Sequence, residues 1–432
     1  MDAANPSSRA QSAGLPATYF AHSYCSLHGF IVHPVRGQPQ SYLRYTTGEP
    51  LASQLRKAYI IAGSAHIIWG LEGYERARRL LERAGLDVAD SPGLPAKVKG
   101  SGLLMRANTV IDEGLIRALV ESPNTALIIP NGDGFRVLAI HATNTKLGSA
   151  AWFLDRRKAS KSALEKSGFK TKSPEELGGT YNAALRKTQA PYAFDLEQTD
   201  KAQIEAETFK AVYKGVTDFV TKFIWPPIAL PITQVCARAK ISPNAVTFIS
   251  LILVLAATYW FWQGQFWLGI IAGWLAALAD TVDGKLARVT LTSSKWGNVF
   301  DHGIDLIHPP FWWLAWWHGV WVSTGVWLDW AMYIVVGGYV AGKLLEQAFI
   351  STFRLKVHIW QKLDSTFRLF TARRNPNMAI LTIFSAIGAY ETGYLALAAW
   401  TIFCFGFHGV RYFQARAARK SGQEIASWLD AS

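Results

Sequence analysis

Apolar positions along this chain follow two regimes that meet near residue 205. In the first, short apolar runs alternate with segments of helical period. KAYIIAG, residues 57–63, reads as a buried strand ending in glycine. Residues 71–84 repeat with a helical period and carry Arg76, Arg78, Arg79 and Arg83. GLLMR at 102–106 predicts a second strand, and 112–121 a helix with Asp112 in its first turn. Residues 126–130 and 135–141 predict two strands joined by Asn131-Gly132-Asp133-Gly134. Strand–helix alternation predicts a layered α/β domain.

In the second regime the apolar stretches lengthen. Residues 205–225 place Phe209, Val212, Tyr213, Val216, Phe219, Val220 and Ile224 on one helical face, opposite Lys210, Lys214 and Lys222. Such a basic amphipathic helix fits the plane of a membrane interface, and Pro226-Pro227 are expected to end it. Six spans are then predicted: 245–263, 266–282, 298–324, 327–352, 376–391 and 394–412, several near the ~20 residues that cross a bilayer. Ser242-Pro243-Asn244 is a start signal for the first, and Pro309-Pro310 predicts a bend in the third. The expected organisation is a disordered leader over 1–40, an α/β domain over 41–200, the juxtamembrane helix over 205–227 and an all-α membrane domain over 228–432.

Composition supports this division. Half of the 432 residues are hydrophobic and 18 are Trp, yet the mean hydropathy is only +0.11, which suits a water-soluble half joined to a membrane half. The net charge of +13 points to cytoplasmic loops and anionic head groups, since the basic residues flank apolar spans and form no nucleic-acid module. The connections at 264–265, 318–328 and 388–394 lack Lys and Arg, whereas the opposite side is rich in them. By the positive-inside rule both termini and the α/β domain face the cytoplasm of an inner or plasma membrane. The first twenty residues lack the apolar core of a signal peptide. Cys25, Cys236 and Cys404 have no ligand spacing.

Candidate chemistry concentrates between residues 280 and 305, DTVDGKLARVTLTSSKWGNVFDHGID. Asp280 and Asp283 are spaced i, i+3, and Asp301 and Asp305 i, i+4, so each pair projects from one helix face. Gly284, Ala287 and Gly297 leave room beside the acids, and Arg288 and Lys295 lie between the pairs. Carboxylates at the mouth of membrane helices are costly unless neutralised, and hard divalent cations are their natural partners. The loop 354–377 returns Arg368, Arg373 and Arg374 to the same side, where arginine suits bidentate phosphate recognition.

This stretch resembles the signature of the CDP-alcohol phosphotransferase family, D-x2-D-G-x2-A-R-x8-G-x3-D-x3-D. Asp280, Asp283, Gly284, Ala287, Arg288, Gly297, Asp301 and Asp305 fill every fixed position. The resemblance implies two divalent cations, Mg²⁺ or Mn²⁺, held by Asp280, Asp283 and Asp301. Asp305 would stand near them as general base and as a further candidate ligand. It implies a CDP-linked donor bound at Asp283, Gly284, Ala287, Arg288 and Gly297. The acceptor would be an alcohol or lipid, with Lys295, Arg368, Arg373 and Arg374 as candidates for its phosphate. It also implies a homodimer. Residues 57–190 resemble nucleoside-diphosphate-sugar pyrophosphorylases, Rossmann-like nucleotidyltransferases, in the order of elements. They depart at the phosphate loop, here Gly63-Ser64-Ala65-His66, and at the metal-binding acid, where Ala107 and Asn108 stand. The domain is therefore expected to be catalytically degenerate, and His66 an ordinary polar contact.

The expected function is transfer of a substituted phosphate from a CDP-linked donor, CDP-diacylglycerol or a CDP-polyol, to an acceptor hydroxyl in phospholipid biosynthesis, with release of CMP. Two rivals stand beside it. A transporter with an acidic ion site would show inverted repeats, and none is visible. An inactive membrane scaffold would have no need of every motif position.

Overall fold

The computed structural model describes residues 57–61, 66–94, 100–179, 181–182 and 185–429. The leader over 1–40 and the loop residues Gly63 to Ala65 lie outside them. The N-terminal half contains strands β1 (Lys57–Ile61), β2 (Ile67–Ile68), β3 (Leu71–Glu72), β4 (Asp87–Val88), β5 (Gly102–Arg106), β6 (Thr109–Ile111), β7 (Thr125–Asn131), β8 (Gly134–Ala142), β9 (Lys170–Lys172), β10 (Tyr181–Asn182), β11 (Lys187–Thr188) and β12 (Ala193–Asp195). Six form one mixed sheet in the order β4-β1-β5-β8-β7-β9. β1 runs parallel to β4 and β5, while β8 is antiparallel to β5 and β7.

Near-continuous apolar runs become central strands because both sheet faces are covered. Ala58, Ile60, Leu103 and Met105 pack under helices α1 (Gly73–Arg83) and α2 (Glu113–Val120). Tyr59, Ile61 and Leu104 point the other way, towards α3 (Leu147–Asp155) and α4 (Lys161–Lys166). Asp112 caps α2 by accepting from the Gly114 amide at 2.8 Å. The helix expected over 71–84 starts later, at Gly73, because Leu71 and Glu72 pair with Ile68 and Ile67. Trp69 and Gly70, with φ of 52° and 70°, form the two-residue turn that this hairpin requires.

After a short α5 (Pro174–Gly178) come α6 (Lys201–Ala211), α7 (Trp225–Arg238), α8 (Pro243–Trp262), α9 (Phe266–Val289), α10 (Lys295–Thr324), α11 (Asp329–Phe353), α12 (Lys362–Phe367), α13 (Arg374–Ala386) and α14 (Tyr390–Lys420). The single juxtamembrane helix expected over 205–227 is not formed. α6 ends at Ala211, a strap follows, and a π-turn at Val220–Ile224 leads into α7. Pro226 and Pro227 open α7 rather than ending its predecessor, since proline lacks an amide that the first helical turn would leave unbonded anyway. α6 also packs on the α/β half. Its buried Glu205 accepts from the Trp69 amide at 3.2 Å, and Thr208 from the Trp69 indole at 2.8 Å.

Among the described residues three helices, α8, α9 and α14, are long and apolar enough to cross a membrane. α10 and α11 are long but carry acids and bases, and α13 has 13 residues, about 20 Å of helix. Their core is aromatic: Trp312, Trp313, Trp316, Phe261, Phe266 and Tyr394 are buried in one cluster. Ile249, Ile252, Leu255, Tyr333, Leu344 and Ile402 are exposed on the outer faces, the surface expected to meet lipid.

The halves share a core. Ile68, Trp69, Val110 and Leu196 pack in one cluster with Val246 of α8 and with Val282, Leu286 and Val289 of α9. A Cβ on Gly70 would lie 2.2 Å from the Ala237 carbonyl oxygen, so glycine is needed for this approach as well as for its φ. Buried Arg76 donates to the Val289 carbonyl at 2.7 Å, and Arg79 to that of Thr290 at 3.1 Å. Two arginines of α1 thus occupy the open carbonyls at the C-terminus of α9.

Candidate active site

α9 runs past the expected span end at 282, so Asp280, Asp283, Gly284, Ala287 and Arg288 lie on one uninterrupted helix. Ser294 starts α10 by accepting from the Gly297 amide at 2.9 Å, which sets Asp301 and Asp305 about two and three turns in. The two helices bring oxygens of Asp280, Asp301 and Asp305 within 4.8 Å of one another. Asp283, buried one turn below Asp280, accepts from the Thr247 hydroxyl of α8 at 2.6 Å through one oxygen. Its other oxygen is buried with no hydrogen-bond partner among the described residues.

Three convergent carboxylates and an orphaned buried oxygen make a hard, anionic donor set that fits Mg²⁺ or Mn²⁺. Arg374 of α13 reaches into this set. Its guanidinium donates to Asp280 and to Asp305, both at 2.6 Å. Arg288 stands within electrostatic reach of Asp301, Asp283 and Asp280. A Cβ on Gly284 would meet only the Arg288 guanidinium, at 3.8 Å, so the surface beside Asp283 is open.

The other predicted residues divide. Arg373 leaves the acids and pairs with Glu346 of α11 at 2.5 and 2.6 Å, with His358 on the same carboxylate at 3.2 Å. Arg368 is 9% exposed in the segment before Arg373. Lys295 opens α10, and its side chain lies outside the described residues. Of the three arginines expected to act together, Arg374 alone joins the acids. Sequence reasoning missed Thr247, Glu346 and His358. Their signal was a hydroxyl and an acid inside otherwise apolar spans, which local patterning does not connect to partners 36 or 27 residues away.

A groove between α11, α13 and α14 is lined by Tyr339, Lys343, Glu346, Arg373, Asn377 and His408, among others. Tyr339 links it to α10 by donating to the Leu306 carbonyl at 3.0 Å. In the α/β half, Asn108 donates to Glu197 at 2.8 Å, and Arg136 pairs with Asp195 and Glu197, both at 2.6 Å. Glu197, the acid that Asn108 contacts, is thus also engaged by arginine.

Residues 240–402 match the family model of the CDP-alcohol phosphatidyltransferases. Among curated proteins, the chain is similar to a phosphatidylinositol phosphate synthase of Cutibacterium acnes, 36% identical over 85 residues, 19% of this chain and 40% of that protein. It is 37% identical over 86 residues to an archaetidylinositol phosphate synthase of Pyrococcus horikoshii, 19% of this chain and 45% of that one. A phosphatidylinositol phosphate synthase of Mycobacteroides abscessus is 33% identical over 103 residues, covering 23% and 47%. The chain thus spans less than half the length of these relatives.

Proposed function

We propose that this chain, whose helical half carries a CDP-alcohol phosphatidyltransferase domain, transfers a substituted phosphate from a CDP-linked donor to an acceptor hydroxyl and releases CMP. The observation that carries this reading is the convergence of Asp280, Asp301 and Asp305 from α9 and α10. Asp280, Asp283 and Asp301 would hold divalent cations, which supply charge stabilisation to the diphosphate and its leaving group. The open surface at Gly284 admits the nucleotide, with Arg288 placed to offset phosphate charge. Asp305 is the most exposed of the three clustered acids, at 42%, and takes the proton of the attacking hydroxyl. Arg374 fixes the spacing of Asp280 and Asp305. The groove that Tyr339 joins to α10 takes the acceptor's head group, its hydroxyls meeting Glu346, Asn377 and Tyr339.

The names of the similar synthases suggest a phosphorylated polyol as acceptor and CDP-diacylglycerol as donor. The reading includes six spans with termini and acids on the cytoplasmic side, a homodimer, and an α/β domain without nucleotidyl transfer of its own. The deciding experiment incubates the full chain in detergent with CDP-diacylglycerol, a panel of alcohols and Mg²⁺ or Mn²⁺, with CMP and lipid products identified by mass spectrometry. No CMP release with any acceptor, from protein that is folded and metal-loaded, would remove the reading.

A further inference from the structure

We infer that the α/β half acts as a clamp on the acidic site. Arg76 and Arg79 of α1, with the apolar seat of Leu291, are positioning residues: they hold the turn between α9 and α10 and so set the spacing of the two acid pairs. The inference rests on the reading of the acids as metal ligands and not on the phosphotransfer that the metals would serve.

The turn from Thr290 to Ser294 joins the two helices that carry the acids. Asp280 and Asp283 lie before it, Asp301 and Asp305 after it. At the end of α9 the Thr292 amide donates to the Ala287 carbonyl at 2.9 Å, and the Leu291 amide to that of Arg288 at 3.3 Å. This closure puts the residue after the cap in the left-handed region, where glycine is usual. α8 and α13 close in the same way on Gly264 and Gly388, with φ of 71° and 70°. α9 closes on Leu291 instead, with φ of 57°. A side chain of this size is costly there and persists only where its surroundings hold it. Leu291 is so held: it is half-buried against the cluster of Ala77, Leu80, Ala107 and Leu115, in the core of the α/β half.

The carbonyls complete the clamp. A helix leaves its last four carbonyls without intrahelical donors. In α9 the turn itself takes those of Ala287 and Arg288, with the Ser293 hydroxyl as a second donor to Ala287 at 3.2 Å. Those of Val289 and Thr290 are taken from the other half of the molecule, by Arg76 and Arg79. Glu75 steadies Arg79 by accepting from its Nε at 2.7 Å. The acids depend on this grip. Oxygens of Asp280, Asp301 and Asp305 lie within 4.8 Å of one another, and like charges so close push α9 and α10 apart. Arg374 opposes the push at the acids themselves, and the clamp opposes it at the turn. A metal site keeps its affinity only while its ligands hold their places to about 0.5 Å. Slack in the turn should therefore be read as weaker metal binding. This gives the α/β half a role that needs no nucleotide of its own.

The test titrates Mn²⁺ into full-length protein in detergent, without donor or acceptor, at a temperature well below the Tm of every variant. Arg79→Ala, Leu291→Ala and Leu291→Gly are each expected to weaken Mn²⁺ binding by roughly ten-fold, the lower end of what a lost ligand-orienting contact costs. Arg79→Lys keeps a donor and is expected to recover part of the loss. Arg83→Ala, on the same helix but paired with Glu113 of α2 at 3.0 Å, is expected to bind as the wild type does. The two Leu291 variants separate positioning from folding. Glycine relieves the left-handed strain and alanine does not, so Leu291→Gly should have the higher Tm of the two. Similar losses of Mn²⁺ affinity at different Tm support the clamp. Affinity that follows Tm across the series, or that matches wild type in the Arg79 and Leu291 variants, overturns it. If the Leu291 variants elute as aggregate, Arg79→Ala against Arg79→Lys decides. Wild-type protein that binds no Mn²⁺ removes the metal reading and this inference with it. Because no turnover is measured, failure of the phosphotransfer reading leaves the result intact.

Discussion

At the scale of single residues, the acids carry the sharpest expectations. Asp280→Asn, Asp283→Asn and Asp301→Asn should each abolish transfer while the protein remains monodisperse, since each removes a candidate ligand oxygen. Full activity in one of them at ordinary metal concentration would remove that residue from the set. Asp305→Asn should lower kcat by ~10²–10⁴-fold, the usual contribution of a general base, and leave the donor KM nearly unchanged. Thr247→Val removes the hydroxyl that orients Asp283 and should weaken Mn²⁺ binding by ~10–100-fold in a direct titration, the typical effect of a lost ligand-orienting contact. Unchanged Mn²⁺ affinity would reduce the contact to packing. Arg374 and Arg373 now have different expectations. Arg374→Lys should lower kcat, because a point charge cannot bridge two carboxylates as a fork does, whereas Arg373→Ala should act on the acceptor KM. The acids were legible in the sequence because their spacing is local to two helices. Arg374 was legible only as a cation, because it meets Asp280 across 94 residues of chain and only the fold sets that distance.

At the scale of elements, helix starts were readable where a cap announces them. Ser242 with Pro243 at the head of α8 and Asp112 at the head of α2 are where the sequence put them. The juxtamembrane segment was misread because its apolar face has a helical period over 205–225, and periodicity does not reveal which partner covers that face. Here Phe209 is covered by Trp69, and Val216 by Ile359, in two directions that one straight helix cannot serve. Two lysines, Lys214 before the π-turn and Lys356 after α11, predict a pH dependence. Lys214 and Lys356 titrate near 8 in the fold against an ordinary 10.5. Between these values the unfolded chain binds more protons than the folded one, so stability should rise as pH increases from about 8 towards 10. The apparent Tm of the protein should show this rise, and a Tm that is flat or falls across the interval would contradict it. Arg76→Ala leaves the Val289 carbonyl without its buried donor and should cost about 1–3 kcal/mol, read as a drop in Tm that Arg76→Lys restores in part.

At the scale of the whole molecule, the division into an α/β half and a helical half was visible in the change of apolar run length near residue 205. The joint between them was not. Leu286 and Val289 are half a turn or more from the acids and read as ordinary helix residues, yet they close a core with Trp69 and Val110. Expressing residues 228–432 alone should therefore yield aggregated or inactive protein, and co-expression with the N-terminal half should recover part of the activity. A well-behaved, fully active truncation would show the shared core to be dispensable. A purified fragment of residues 40–200 should release no pyrophosphate from CTP and a polyol phosphate, and metal-dependent release would revive it as a nucleotidyltransferase. The shared core also orders biosynthesis in time. The α/β half leaves the ribosome first, with Ile68 and Trp69 facing water, and the helices that cover them follow only after insertion begins. For that interval the nascent chain bears an uncovered aromatic face, the kind of surface that draws chaperones or sticks to itself. Trp69→Ser should therefore make the early chain more soluble and the finished protein less stable, two opposite effects of a single substitution.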